Sequence, residues 1–198
     1  MDKPFSPSSE RNREPILQCL RPLLADCRTL LEIGSGTGQH AVHFAAAMPH
    51  LLWQCADVVE NHPGIGAWLR DAALPNTPPP LVLDVDQTRW PAGGYDAAFS
   101  ANTLHILSWE QVCTLFRRMH EVLAPRGLLI VYGPFNYAGQ FSSPSNAAFD
   151  ARLKSDDPVR GIRDAEAVDA LAAQAGLDLL ADREMPANNR CRVWQRRG

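Results

Sequence analysis

The chain has 198 residues, 45% of them hydrophobic, and a formal net charge of -3. That length buries one good core, so a single domain over residues 1–198 is expected, and the weakly acidic balance gives no broad cationic field for nucleic acid. Five cysteines, Cys19, Cys27, Cys55, Cys113 and Cys191, contain no Cys-x-x-Cys pair; neither a disulfide framework nor a zinc site is expected, which fits a reducing compartment.

Met1–Ser9 is polar rather than an apolar leader, and no apolar run approaches the ~20 residues of a membrane span. A cytoplasmic protein with no membrane partner is expected. Met1–Arg11 reads as a flexible lead-in and Asn12 as the N-cap of a helix carrying Ile16, Leu17, Leu20, Leu23 and Leu24, so that 1–28 forms a helical lead-in. The polar run Glu10–Arg13 is read as solvated surface, with contact to a ligand as the alternative.

Leu30–Ile33 follows as a short buried strand, then Gly34, Gly36 and Gly38 at alternate positions, then a helix over Thr37–Ala47. Glycine lets backbone turn sharply and lets a ligand approach it, and a strand, glycine turn and helix N-terminus together suit a nucleotide-type ligand. His40 and His43 lie three apart on that helix with no third ligand nearby, so no metal is expected.

Leu51–Asp57 reads as a second strand ending in an acid about 20 residues past the glycines, where a doubly wound fold brings a carboxylate to a ribose. Glu60 is the reserve for that role. A helix over Gly64–Ala73 leads to a third strand, Leu81–Val85, whose Asp84 either serves a ligand or caps the loop. Tyr95–Ala101 is the fourth strand, with Asn102–His105 just beyond its carboxyl end, where ligands bind open α/β sheets.

Ser108–Gln111 is a capping box that opens a helix with Val112, Leu115, Phe116, Met119 and Val122 on one face, and Leu128–Tyr132 is a fifth strand. The stretch 133–164 is rich in Gly, Pro, Ser and Asn and reads as a lid with a short helix at Ala147–Leu153. Asp164 caps a last helix stopped at Gly176, and Leu177–Leu180 and Cys191–Gln195 read as the final strands. Repeated strand–helix alternation argues for an α/β fold with a mostly parallel sheet.

The run Glu32-x-Gly34-x-Gly36-x-Gly38 resembles the signature of class I S-adenosylmethionine-dependent methyltransferases; a dinucleotide fingerprint would need its third glycine at position 39, which is Gln39. The strings Glu10-Arg11-Asn12, Ser100–His105, Gly133–Asn136, Ser143–Asn146, Gly161–Asp164 and Met185–Asn189 are similar to the methyltransferase-like protein 26 family. The resemblance implies a three-layer Rossmann-like fold with a mostly parallel seven-stranded sheet and an antiparallel edge strand, and S-adenosylmethionine as cofactor. It further implies that Glu32 orients the methionine amino group, that Gly34, Ser35, Gly36, Thr37 and Gly38 give backbone access, and that Asp57 holds the ribose. Asp84 and Val85 would flank the adenine, and Ser100, Ala101 and Asn102 the methionine end.

For the acceptor, His105 is the candidate general base, its ordinary pKa near 6.5 suiting proton uptake, with Asn102 and Tyr137 beside it; His105 holding its own turn is the structural alternative. Asn12, Asn136, Asn188 and Asn189 are candidate acceptor-orienting amides. No Asn/Asp-Pro-Pro-aromatic run follows the fourth strand, and no cysteine stands there for attack on a pyrimidine. A small-molecule O or N acceptor is the leading expectation. A cofactor-binding interaction protein without turnover and a nicotinamide oxidoreductase are the alternatives.

Overall fold

The computed structural model describes residues 3–198. Its elements run α1 (Pro7–Leu23), β1 (Thr29–Ile33), α2 (Gln39–Ala47), β2 (Leu52–Asp57), α3 (His62–Ala72), β3 (Leu81–Val82), β4 (Tyr95–Ala101), α4 (Trp109–Val122), β5 (Leu123–Gly133), β6 (Phe135–Asn136), α5 (Pro144–Asp156), β7 (Arg163–Asp164), α6 (Ala165–Gln174), β8 (Leu177–Met185) and β9 (Asn189–Arg196). Seven strands form one sheet in the order β3-β2-β1-β4-β5-β9-β8, and β6 pairs with β7 separately. β1 to β5 are parallel, while β9 runs antiparallel to both β5 and β8 and forms the edge pair with β8.

The pleat of each strand sends consecutive side chains to opposite faces, which builds two cores. Leu31, Ile33, Ala98, Leu129 and Val131 meet Val112, Leu115, Phe116 and Met119 of α4 and Val168 of α6. Leu30, Trp53, Phe99 and Ile130 meet Ile16 and Leu20 of α1, Phe44 of α2 and Ile65 of α3. The helices on the β1–β3 side thus cover one face and α4 and α6 the other. The winding reverses between β1 and β4, and a crevice opens at their carboxyl ends.

α1 begins earlier than the sequence suggests. Ser6, rather than Asn12, is its N-cap, accepting from the Ser9 N–H, and Pro15 lies inside the helix instead of in its first turn. The lead-in expected over Met1–Arg11 is therefore helical from Pro7, and Met1 and Asp2 lie outside the described residues. α5 is also longer than expected, because Ser143 caps it and Pro144 sits in its first turn. β3 closes after Val82, two residues short of Asp84. Among the described residues no helix is long and apolar enough to cross a membrane.

Gly38 caps α2 at φ +87°, and a Cβ there would come within 3.0 Å of the Ile65 Cα, which is backbone and cannot swing away. Gly38→Val should therefore cost about 2–4 kcal/mol, combining left-handed strain with a clash. Urea unfolding of the variant against the parent checks this value.

Candidate functional site

The glycine loop is held by its neighbour strand. The N–H groups of Gly34 and Ser35 both donate to the Ala56 carbonyl, at 2.9 and 3.3 Å, and that of Gly38 to the Ser35 carbonyl. Asp57, buried at the end of β2, accepts from the Gly36 N–H at 2.6 Å through Oδ2, and from the Val58 N–H and Asn61 Nδ2 at 2.8 and 2.9 Å through Oδ1. These bonds use three of its roughly four acceptor positions.

Two cavities flank this loop. The larger, about 550 Å³, has Gly34–Thr37, Ala101 and Asn102 on its floor, Ser6–Pro15 of the α1 region and His40 as a wall, and Phe149 with Pro186, Ala187 and Asn189 closing it. The second, about 480 Å³, lies against Pro4, Glu60, Asn61, Pro63 and Gly64. Gly36 and Thr37 line both cavities, so an elongated ligand can lie across their backbone. Among the described residues Arg11 is the cationic side chain in the larger cavity, and no carboxylate lines it.

Asn102 adopts φ +57°, and its N–H donates to the Tyr132 carbonyl at 2.8 Å. This turn folds residues 103–107 back over the sheet edge and brings His105 to the cavity. Gly161 N–H donates to the His105 carbonyl at 3.0 Å, and the Arg163 guanidinium donates to the carbonyls of Leu104 and Leu107. The His105 ring meets Phe149 edge-on at 5.1 Å and makes no hydrogen bond to a protein group among the described residues. Burial first, and then the Arg163 charge, lower its pKa to about 4, so the imidazole is neutral with an open ring nitrogen.

A second buried polar group faces His105 across the cavity. His40 Nε2 lies 2.7 Å from Asn12 Oδ1, which only accepts, so the Nε2 tautomer of His40 carries the proton. Burial likewise lowers the His40 pKa to about 4. The Asn12 and Asn189 side chains sit against the buried Tyr132 hydroxyl, which desolvation keeps protonated and thus able to donate.

The remaining sequence candidates lie away from this cavity. Glu32 is buried beneath the loop, where its carboxyl accepts from Trp53 Nε1 at 3.0 Å. The Ser100 hydroxyl donates to the Ile33 carbonyl at 2.8 Å and braces the floor from below. Asp84 is exposed and accepts from the Asp86 N–H at 3.0 Å, which is the loop-capping alternative, and Val85 is packed in the α4-side core. Tyr137 donates to Asp182 at 2.7 Å, which draws it to the β8 side. Asn136 is committed to the β6–β7 pair through the Ile162 carbonyl, and Asn188 to α5 through Ser145 Oγ and Asn146. The chain thus brings Asn12, the glycine loop, Ala101, Asn102, His105 and Asn189 together.

Sequence reasoning missed Tyr132, Phe149 and His40, and assigned Arg11 to the solvated surface. The polar aromatic at the carboxyl end of β5 obeyed the same strand-end rule that singled out Asn102, but it was absorbed into an apolar run. Glu10 and Arg13 do form the expected surface pair, at 2.6 Å.

These buried groups give stability an opposed pH dependence. Glu32 has its pKa raised to about 7 by burial, so the folded chain holds a proton that the unfolded chain releases near 4.5; stability falls as pH rises toward 8. His40 and His105 have folded values near 4 against 6.5 unfolded, so the unfolded chain takes up more protons and stability rises with pH over the same window. Each side amounts to about 1–2 kcal/mol between pH 6 and 8, and the two offset one another. Glu32→Gln should remove one side, so that the variant gains about 1 kcal/mol on the parent from pH 6 to 8. Denaturant unfolding of variant and parent at the two pH values checks the difference between them.

A three-layer sandwich of this strand order, with its crevice over β1 and β4, is the class I methyltransferase fold. The apo S-adenosylmethionine-dependent methyltransferase SibL superposes with a TM-score of 0.81 at 23% identity, over 96% of this chain and 56% of that one. An O-methyltransferase family protein from Burkholderia thailandensis gives 0.83 at 14% identity, over 93% and 56%. Human N-acetylserotonin methyltransferase in complex with SAM gives 0.75 at 16% identity, over 96% and 53%. The chain therefore spans little more than half the length of these structures. Its sequence belongs to the family described as protein of unknown function, DUF938, whose model matches residues 3–196.

Proposed function

We propose that the protein transfers the methyl group of S-adenosylmethionine to a small-molecule oxygen or nitrogen acceptor. The observation that carries this reading is the pair of cavities sharing the Gly36–Thr37 backbone, with the Asp57 carboxylate tying that loop to the end of β2. The shape fits an elongated nucleoside. The remaining acceptor position of Asp57 suits a ribose hydroxyl, and the carboxylate-free larger cavity with Arg11 suits a ligand carboxylate. The fold shared with SibL and the other two enzymes supports the same cofactor. The sequence strings quoted above support a place beside the methyltransferase-like protein 26 family, and the five scattered cysteines support a cytoplasmic setting.

When bound, S-adenosylmethionine supplies an electrophilic methyl carbon, and in-line positioning then provides much of the acceleration. Phe149 and Pro186 give the cavity part of its apolar lining. Tyr132 and Asn189 orient the acceptor, and the open nitrogen of neutral His105 accepts its hydrogen bond. With a folded value near 4 instead of the 6.5 expected from the sequence, His105 is a weak base and suits an acceptor whose proton is already labile. His105→Ala should lower turnover by roughly 10²–10⁴-fold while cofactor binding changes little. Incubation with radiolabelled S-adenosylmethionine and a fractionated small-molecule extract tests this reading. Label entering no small molecule would leave the alternative of a binding protein without turnover.

A further inference from the structure

Cys19 and Cys191 form a second chemical centre, separate from the cavity. Cys19 lies on the sheet-facing side of α1, and Cys191 is the third residue of β9; both belong to the same core face. Cys191 is fully buried and Cys19 is 7% exposed. Arg183 of β8 stands directly opposite Cys191 in the ladder, so the two side chains share a face of the sheet. The Arg183 Nη1 lies 3.8 Å from the Cys19 sulfur, and Arg183 itself is exposed, so Cys19 sits just beneath a surface cation. Arg183 thus stands against both cysteines, as the ladder partner of Cys191 and in contact with the Cys19 sulfur.

We infer that Cys19 and Cys191 are a peroxide-responsive dithiol pair, Cys19 attacking and Cys191 resolving, whose disulfide fastens α1 to β9. The Cys191 thiol and the Arg183 charge both favour the Cys19 thiolate and hold it below the ordinary thiol range, while Cys191 is pushed up and stays a thiol. The Cys19 thiolate attacks hydrogen peroxide: an S–O bond forms, the O–O bond breaks, and hydroxide leaves. The Cys191 sulfur then attacks the sulfenic acid, an S–S bond forms, the S–O bond breaks, and the Cys191 proton leaves with the departing hydroxide as water. Two sulfurs lose two electrons, and one peroxide becomes two waters once the first hydroxide is protonated. The cross-link ties together the two segments that carry Asn12 and Asn189, seven residues before Cys19 and two before Cys191.

The test is limiting hydrogen peroxide on the folded protein, followed by thiol alkylation, intact mass and peptide mapping. The expected result is loss of two hydrogens and a single Cys19–Cys191 cross-linked peptide, reversed by dithiothreitol, with slower amide exchange along α1 in the oxidised form. Cys191→Ser should leave a Cys19 sulfenic acid that dimedone traps, and Arg183→Met should slow oxidation several-fold. Both thiols remaining fully alkylatable while Cys27 or Cys113 oxidises would overturn the proposal, as would a rate unchanged in Arg183→Met.

Discussion

Gly36→Arg is expected to weaken S-adenosylhomocysteine binding by at least about 100-fold while the protein still folds. Gly36 sits at φ +57°, which costs a side chain about 1–2 kcal/mol, and a Cβ there meets no atom within 4 Å. The open space around it is the two cavities, since Gly36 lines both. A guanidinium on a long stem therefore occupies ligand volume without breaking the core, and it sits beside the Asp57 carboxylate that the Gly36 N–H now satisfies. Calorimetric titration reports the loss of binding, and a cooperative thermal transition within several degrees of the parent reports the retained fold. Gly38→Val, two residues on, should show the reverse pattern of damaged stability.

Arg192→Leu should be strongly destabilising, at about 3 kcal/mol, lowering Tm by roughly 10 °C. Arg192 is 2% exposed, its Nη1 donates to the Ala165 carbonyl at 3.0 Å, and its Nη2 donates to Asp169 at 2.8 Å. Its Nε lies 3.3 Å from Asp182, off the line of a hydrogen bond, and Phe135 and Trp194 flank the guanidinium. Asp182 also receives Tyr137 and Arg190, so this one cation ties β9, α6, β8 and the segment after β6 together. Leucine fills the volume but removes the shared partner of Asp169 and Asp182 and the donor to the Ala165 carbonyl, leaving Asp169 with Trp194 Nε1 and Asp182 with Tyr137 and Arg190. Arg192→Lys should recover little, because a single ammonium cannot span the carbonyl and both carboxylates. Thermal and urea unfolding check both variants.

The fold was legible because its signals are local and repeated. Leu30–Ile33, Tyr95–Ala101 and Leu128–Tyr132 are apolar runs bounded by turn residues, and the Ser108 capping box marks the start of α4 without ambiguity. α5 was read as much shorter because it carries no apolar stripe: its buried residues are Asn146, Asp150 and Leu153, two of them polar. The start of α1 was misplaced because Ser6 and Asn12 are equally good caps on paper, and the Ser6 backbone bond to Gln39, thirty-three residues away, favours the first.

In the site, the backbone positions were predictable and the side-chain directions were not. Glycine spacing and strand ends locate Gly34–Thr37 and Asn102. Whether Glu32 faces a ligand or Trp53 depends on which face of β1 it occupies, and the pairing of β1 with β2 decides that. Tyr137 is likewise drawn from the lid to Asp182 by a partner forty-five residues away.

The most direct test of the account is isothermal titration of the purified chain with S-adenosylhomocysteine, with NAD as the comparison. The account predicts one S-adenosylhomocysteine bound per chain, binding lost in Gly36→Arg, and no heat from NAD. Saturable NAD binding together with no heat from S-adenosylhomocysteine or S-adenosylmethionine would contradict it.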